Sequence, residues 1–135
     1  MIVLKTNREL ALMREACIIS AGALKLAGEA VEPGVTTAEI DKIAYDYIIK
    51  CGAKPNFLNY NGYPATACIS INDEVIHGIP SKKRVIEEGD IVSIDLGAVL
   101  EGFNGDNAAT FAAGAISSEA KRLCDTTKES LFLGI

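Results

Sequence analysis

The feature that most restricts the fold is a pair of strand-like apolar segments on either side of a two-residue turn. Residues 91–100 and 103–111 flank Glu101-Gly102, and such a short connection between two segments is typical of a β-hairpin. A hairpin of this length exposes one face and buries the other unless both faces are covered. The sequence therefore predicts an antiparallel hairpin over these two segments.

Two carboxylates lie within this hairpin. Asp95 stands in an otherwise apolar run, and Asp106 follows Gly105 on the next strand. If residue 100 pairs with residue 103, Asp106 is a same-face diagonal neighbour of Asp95 and lies directly opposite Gly97. The missing side chain of Gly97 then predicts room for an ion or a water molecule beside the carboxylates. A single bulge at the turn reverses the parity and separates them.

A pair of close carboxylates has a limited set of uses. They repel each other unless one is protonated or a cation lies between them, and oxygen ligands on adjacent strands suit one or two divalent metal ions. The alternative is that the two residues are separate and structural, with Asp95 bonded to backbone amides and Asp106 in a turn of its own. The spacing alone leaves both interpretations open.

Three helices are predicted around the hairpin. Thr6-Asn7-Arg8-Glu9 and Thr36-Thr37-Ala38-Glu39 have the form of a capping box, and a third helix is expected from Ser117 to Ser130. The first helix is expected to continue to Glu32-Pro33, and the second to end at Cys51-Gly52. The first helix has helically spaced apolar residues at Leu10, Met13, Cys17, Leu24 and Ala27.

The segments between the second helix and the hairpin suggest a cleft. Residues 65–71 are predicted to form a strand, and residues 75–80 a short extended piece that ends at a proline. Residues 54–64 are predicted to form a loop with three aromatic side chains, which either cover the core or form a pocket wall. His77, the single histidine, is either an ordinary loop residue or a hydrogen-bond partner for a substrate.

Composition excludes several classes of protein. The net charge is −5 and the one basic run is Lys82-Lys83-Arg84, so nucleic-acid binding is not expected. No apolar segment approaches the roughly 20 residues of a membrane helix, and no membrane partner is expected. The four cysteines are far apart, which indicates reduced thiols. We expect a soluble, cytoplasmic, single-domain α+β protein.

Three motifs in one order resemble those of type I methionine aminopeptidases. They are Val75-Ile76-His77-Gly78-Ile79-Pro80, Gly89-Asp90-Ile91-Val92-Ser93-Ile94-Asp95 and Gly102-Phe103-Asn104-Gly105-Asp106. Asn61-Gly62-Tyr63-Pro64 and Ala67-Cys68-Ile69-Ser70-Ile71-Asn72 extend the match. The resemblance implies half of a pita-bread fold, the creatinase and aminopeptidase architecture, with an antiparallel sheet and helices packed on one face.

The resemblance also implies a function and a set of site residues. The family removes the initiator methionine from nascent proteins at a centre of two divalent metal ions, which the sequence does not distinguish among Co, Mn, Fe and Zn. Asp95 and Asp106 match its metal ligands, and His77 matches a residue that contacts the substrate near the scissile amide. Residues matching the methionine pocket are Phe57, Tyr60, Tyr63 and Cys68, with Phe57 in place of a cysteine found in some relatives.

Length is the main departure from the family. Its remaining ligands, one histidine and two glutamates, come from a second half, so the resemblance assigns residues 1–135 to the N-terminal half of the catalytic domain, with the C-terminal half absent. The chain alone is therefore expected to be inactive and to self-associate through its uncovered surface. Its expected partners are nascent polypeptide N-termini at the ribosome. The alternative is a non-catalytic binding module that retains the half-fold.

Overall fold

The computed structural model describes residues 4–135. The predicted domain spans residues 1–135, and its first three residues lie outside the described part of the chain. Within the described chain the helices are α1 (Asn7–Glu29), α2 (Thr37–Lys50) and α3 (Ser118–Gly134). The strands are β1 (Lys54–Pro55), β2 (Ala67–Ile71), β3 (Ile91–Leu100) and β4 (Phe103–Ala112), with a short 3₁₀ turn at Tyr60–Gly62.

The predicted hairpin is confirmed. β3 pairs with β4 in antiparallel register from Leu100↔Phe103 to Ile91↔Ala112, with no bulge. Glu101 and Gly102 both have left-handed backbone conformations, with φ of 48° and 84°, as a two-residue hairpin turn of the primed type requires. β4 occupies one edge of β3, and β2 and β1 pair in antiparallel register along its other edge. β3 is thus the central strand.

The two faces of β3 have opposite characters. The side chains of Val92, Ile94, Leu96 and Ala98 are fully buried against α1 and α2. The alternate residues, which include Ser93 and Asp95, face away from these helices. The predicted α+β class, with an antiparallel sheet and helices on one face, is confirmed for α1 and α2.

The buried side of α1 includes only some of its helically spaced apolar residues. Leu10 is 50% exposed and Cys17 is also exposed. The buried side of α1 instead consists mostly of small residues: Ala16, Ser20, Ala23, Leu24, Ala27 and Gly28. A Cβ at Gly105 of β4 would overlap the main chain of Ala16 and Cys17. Small residues are needed because helix and strand approach each other this closely.

Element boundaries follow the predicted caps with small corrections. Both capping boxes, at Thr6 and Thr36, are formed, and Ser117 caps α3 as predicted. α1 ends at Glu29, before the predicted Glu32-Pro33. β2 begins at Ala67 rather than residue 65, because Thr66 and Ala67 donate their backbone N–H groups to the Asp41 carboxylate at 2.9 and 2.8 Å.

Two segments contribute no buried residue to the core. Residues 75–80, predicted to be a short extended piece, join no strand, and Gly78 accepts a hydrogen bond from the backbone N–H of Ile69 in β2 at 2.8 Å. α3 has no buried residue, and its apolar side chains at Leu131, Phe132 and Leu133 are 60–82% exposed. Within residues 4–135 no helix is long and apolar enough to span a membrane.

Candidate metal centre and adjacent cleft

The hairpin register places Asp95 and Asp106 on one face of the sheet. Asp95 is opposite Ala108 and Gly97 is opposite Asp106, so the two carboxylates are diagonal neighbours on the face away from α1 and α2. Burial, followed by the negative charge of Asp106 and a hydrogen bond to it, raises the pKa of Asp95 above its usual value; the charge of His77 opposes this shift. The two carboxylates therefore share one face, the arrangement that the sequence predicts for a turn without a bulge.

The space above Gly97 is not open, in contrast to the sequence-based expectation. A Cβ at residue 97 would lie 2.9 Å from Cβ and 3.2 Å from Nδ2 of Asn56, whose own N–H donates to the Gly97 carbonyl at 2.9 Å. The absent side chain thus accommodates Asn56 rather than an ion or water. Sequence reasoning missed Asn56, because nothing in its neighbourhood indicates that the loop folds back over β3.

A cleft of about 590 Å³ opens beside Asp95. Its walls include every residue that sequence analysis assigned to substrate contact, together with one carboxylate of the pair: Phe57, Tyr60, Tyr63, Cys68, His77 and Asp95. Asn61, Gly62, Pro64 and Ile79 complete the lining. Asp106 lies on the same sheet face but is not part of this lining. The aromatic loop therefore forms a pocket wall.

Cys68 and Tyr63 form the floor of the cleft. Cys68 pairs with Asp95 in the β2–β3 register and is 7% exposed. Burial is the main cause that raises the pKa of the Cys68 thiol, and burial likewise raises the pKa of the Tyr63 phenol. Both groups are therefore neutral near pH 7 and offer the cleft polarizable, uncharged surfaces.

His77 stands at the rim of the cleft. It is exposed, and its backbone is left-handed with φ of 59°, a conformation that is uncommon for a residue other than glycine. The residue that follows, Gly78, is fixed against β2 and accepts a hydrogen bond from the Tyr63 hydroxyl at 3.1 Å. The imidazole can donate or accept a hydrogen bond there without displacing any core side chain.

The donor set fits a divalent cation in part. Carboxylate oxygens are suitable ligands, and neither Asp95 nor Asp106 takes part in the three ion pairs formed by the described residues. Burial, the largest cause, and repulsion by Asp106 both raise the pKa of Asp95, and a bound cation would offset the repulsion. Across residues 4–135, however, no group of three or more His, Cys, Asp or Glu side chains converges on one point. The pair can supply only part of a metal shell.

Comparisons with known proteins agree with this geometry. Residues 11–135 match the model of metallopeptidase family M24. The chain is 53% identical over 135 residues to a methionine aminopeptidase of Clostridium acetobutylicum and 47% identical to methionine aminopeptidase 1 of Bacillus subtilis, covering 54% of each. It thus spans about half the length of the curated relatives it matches.

Solved structures give the same result. The crystal structure of methionine aminopeptidase from Rickettsia prowazekii matches all of this chain and 54% of its own with a TM-score of 0.96 at 36% identity. A prolidase from Pyrococcus furiosus matches 89% of this chain and 34% of its own with a TM-score of 0.76 at 27% identity. These two proteins are named for different peptidase activities, so the fold is shared more widely than methionine specificity.

Proposed function

Because this chain belongs to metallopeptidase family M24, we propose that it forms the N-terminal half of a methionine aminopeptidase catalytic domain. The observation that carries the proposal is the pairing of Asp95 and Asp106 on one sheet face beside a cleft walled by aromatic residues and a thiol. The relatives that match along the whole chain are named methionine aminopeptidases. The proposed substrates are nascent polypeptide N-termini, met at the ribosome.

Asp95 and Asp106 are the proposed ligands of two divalent metal ions, with the remaining ligands supplied from outside these 135 residues. Such ions, when bound, polarise a substrate carbonyl and make a nucleophile available at neutral pH. Asp95 borders the cleft directly, whereas Asp106 reaches the same face from β4. The scissile amide of a substrate is therefore proposed to lie beside these two carboxylates.

The cleft residues have complementary proposed roles. Phe57, Tyr60, Tyr63 and Cys68 present aromatic faces and a thiol, which suit the polarizable thioether of methionine. His77, at the rim, is placed to hydrogen-bond the substrate near the amide that is cleaved. Neutral Cys68 and Tyr63 also avoid adding negative charge beside the carboxylate pair.

An intact-mass measurement combined with an assay on protein from the native source tests the proposal. A species of about twice 14.3 kDa that releases methionine from Met-Ala-Ser only when Mn²⁺ is present supports it. A species of that size without metal-dependent release would overturn it. A 14.3 kDa species that binds peptides without cleaving them would establish the binding-module alternative instead.

The 135-residue chain alone is proposed to be inactive and to self-associate. Two carboxylates cannot complete two metal shells. One of the two glutamates that the family resemblance places in the second half is the expected general base, a role worth about 10² to 10⁴ in rate. The apolar residues of α3 also remain uncovered. Light scattering at micromolar concentration is expected to detect dimers or larger species, and a monomer under these conditions contradicts the self-association.

A further inference from the structure

The backbone of Gly78 is fixed on both of its peptide groups. Its carbonyl accepts hydrogen bonds from the N–H of Ile69 at 2.8 Å and from the Tyr63 hydroxyl at 3.1 Å. Its own N–H donates to the hydroxyl oxygen of Ser70 at 3.1 Å. A Cβ at residue 78 would overlap the Ile69 carbonyl, so this segment approaches β2 more closely than any side chain would allow.

The Ser70 hydrogen bond acts on the peptide group that directly follows His77. That peptide group turns with the backbone of His77, which is left-handed with φ of 59°. A non-glycine residue adopts this conformation at an energetic cost, and only surrounding contacts make it persist. The hydrogen bonds of residues 75–80 lie on Gly78, and the Ser70 hydroxyl is the group that holds the peptide group nearer to His77.

Ser70 is well placed for this task. Its side chain lies in β2 and is only 5% exposed, so its hydroxyl is shielded from competing water. It lies two residues from Cys68, the β2 residue that pairs with Asp95, and therefore on the same sheet face. If the hydroxyl is removed, the N–H of Gly78 loses the acceptor it has in this structure, which costs free energy unless the loop moves.

We propose that Ser70 is a positioning residue that holds the His77 imidazole at the rim of the cleft through the N–H of Gly78. The proposal deepens the proposed function and rests on it for the significance of His77. Ser70 itself is assigned no contact with substrate or metal. Its effect is expected to reach the site only through the backbone of residues 77 and 78.

The chain contains a single histidine, so the Cε1–H of its imidazole gives one unambiguous NMR signal. The test compares this signal in wild type, Ser70→Ala and Ser93→Ala, each as the whole 135-residue chain in EDTA. Ser93 is the matched control because it pairs with Ser70 in the sheet and bonds Thr110 at 2.9 Å, away from Gly78. In Ser70→Ala the signal is expected to shift or to split into several conformers, while in Ser93→Ala it stays at the wild-type position.

A folded Ser70→Ala variant whose imidazole signal matches that of wild type would overturn the proposal. Ser70→Thr keeps the hydroxyl and is expected to restore the wild-type signal. The readout does not depend on turnover, so a failed aminopeptidase assay leaves this test unaffected, and an unchanged signal leaves the proposed function unaffected.

A second measurement needs no variant and covers the case in which Ser70→Ala does not fold. In wild type the amide of Gly78 is expected to exchange with solvent at least about tenfold more slowly than the exposed amide of Val75, because a buried hydroxyl holds it. Equal exchange at the two amides, after correction for their intrinsic rates, would show that the Ser70 bond is not maintained and would overturn the proposal.

Discussion

The two faces of β3 carry residues of different character, although these residues alternate along one strand. On the helix-covered face the side chains of Val92, Ile94, Leu96 and Ala98 are fully buried. On the other face Asp95 is part-buried next to a second carboxylate, and burial and repulsion both raise its pKa. The covered face stabilises the fold. The other face costs stability and holds the proposed metal site, so substitutions on the two faces are expected to have opposite consequences.

The largest expected effect is on the covered face. Ile94→Ala removes a side chain with no solvent exposure and leaves a cavity, which is expected to lower the free energy of unfolding by about 2–5 kcal/mol. Ser93→Ala, the neighbouring residue on the opposite face, is expected to change it by less than about 0.5 kcal/mol. Urea unfolding of both variants measures the difference. Equal losses in the free energy of unfolding of the two variants would contradict the proposed difference between the two faces of β3.

Two glycines on opposite faces provide the next test. A methyl group at Gly105 meets the main chain of α1, which cannot move aside, whereas a methyl group at Gly97 meets the side chain of Asn56. Gly105→Ala is therefore expected to cost about 1–3 kcal/mol, as overpacking does, and to exceed the cost of Gly97→Ala. Thermal unfolding followed by circular dichroism measures both. A larger loss for Gly97→Ala would contradict the account of α1 packing.

The sequence predicted most where local chemistry dictates structure. The turn at Glu101-Gly102 set the whole β3–β4 register, and the capping threonines set the starts of α1 and α2. The buried face of α1 could not be read in the same way, because it depends on how closely Gly105 approaches the helix. A search for helically spaced apolar residues identifies large side chains such as Leu10, whereas the close packing of α1 against β4 requires small ones.

In the candidate site, too, some residues were predicted from the sequence and others were not. Motif resemblance and register brought Asp95 and Asp106 together from the sequence. Asn56 and Ser70 escaped notice because their contacts, above Gly97 and at Gly78, come from loops that return to the sheet. Loop paths depend on tertiary contacts, and no spacing within the chain encodes them.

A smaller effect is expected from pH in the absence of metal. The pKa of Asp95 in the folded chain is raised above its unfolded value, so the folded state binds more protons and stability is greater below the unfolded pKa. This stability is lost as pH rises through the folded pKa. Because Asp95 is only part-buried, the loss is expected to be below about 1 kcal/mol.

Urea unfolding in EDTA between pH 3 and pH 7, an interval chosen to span the usual carboxyl range, detects this dependence. Asp95→Asn is expected to reduce the pH dependence but not to abolish it, because burial also raises the pKa of Asp41; Asp73→Asn, at an exposed turn, is expected to leave it in place. An unchanged pH profile in Asp95→Asn would mean that the burial of Asp95 and its repulsion by Asp106 do not affect stability.

The most direct measurement of the central claim is calorimetry of wild type and Asp106→Asn, each in EDTA and in Mn²⁺. If the carboxylates share one site, Asp106→Asn removes repulsion, so its midpoint in EDTA is expected to equal or slightly exceed that of wild type. Mn²⁺ is expected to raise the wild-type midpoint by a small amount and to raise that of Asp106→Asn less. A midpoint lowered equally in EDTA and in Mn²⁺ would instead mark Asp106 as a structural turn residue and contradict a shared metal site.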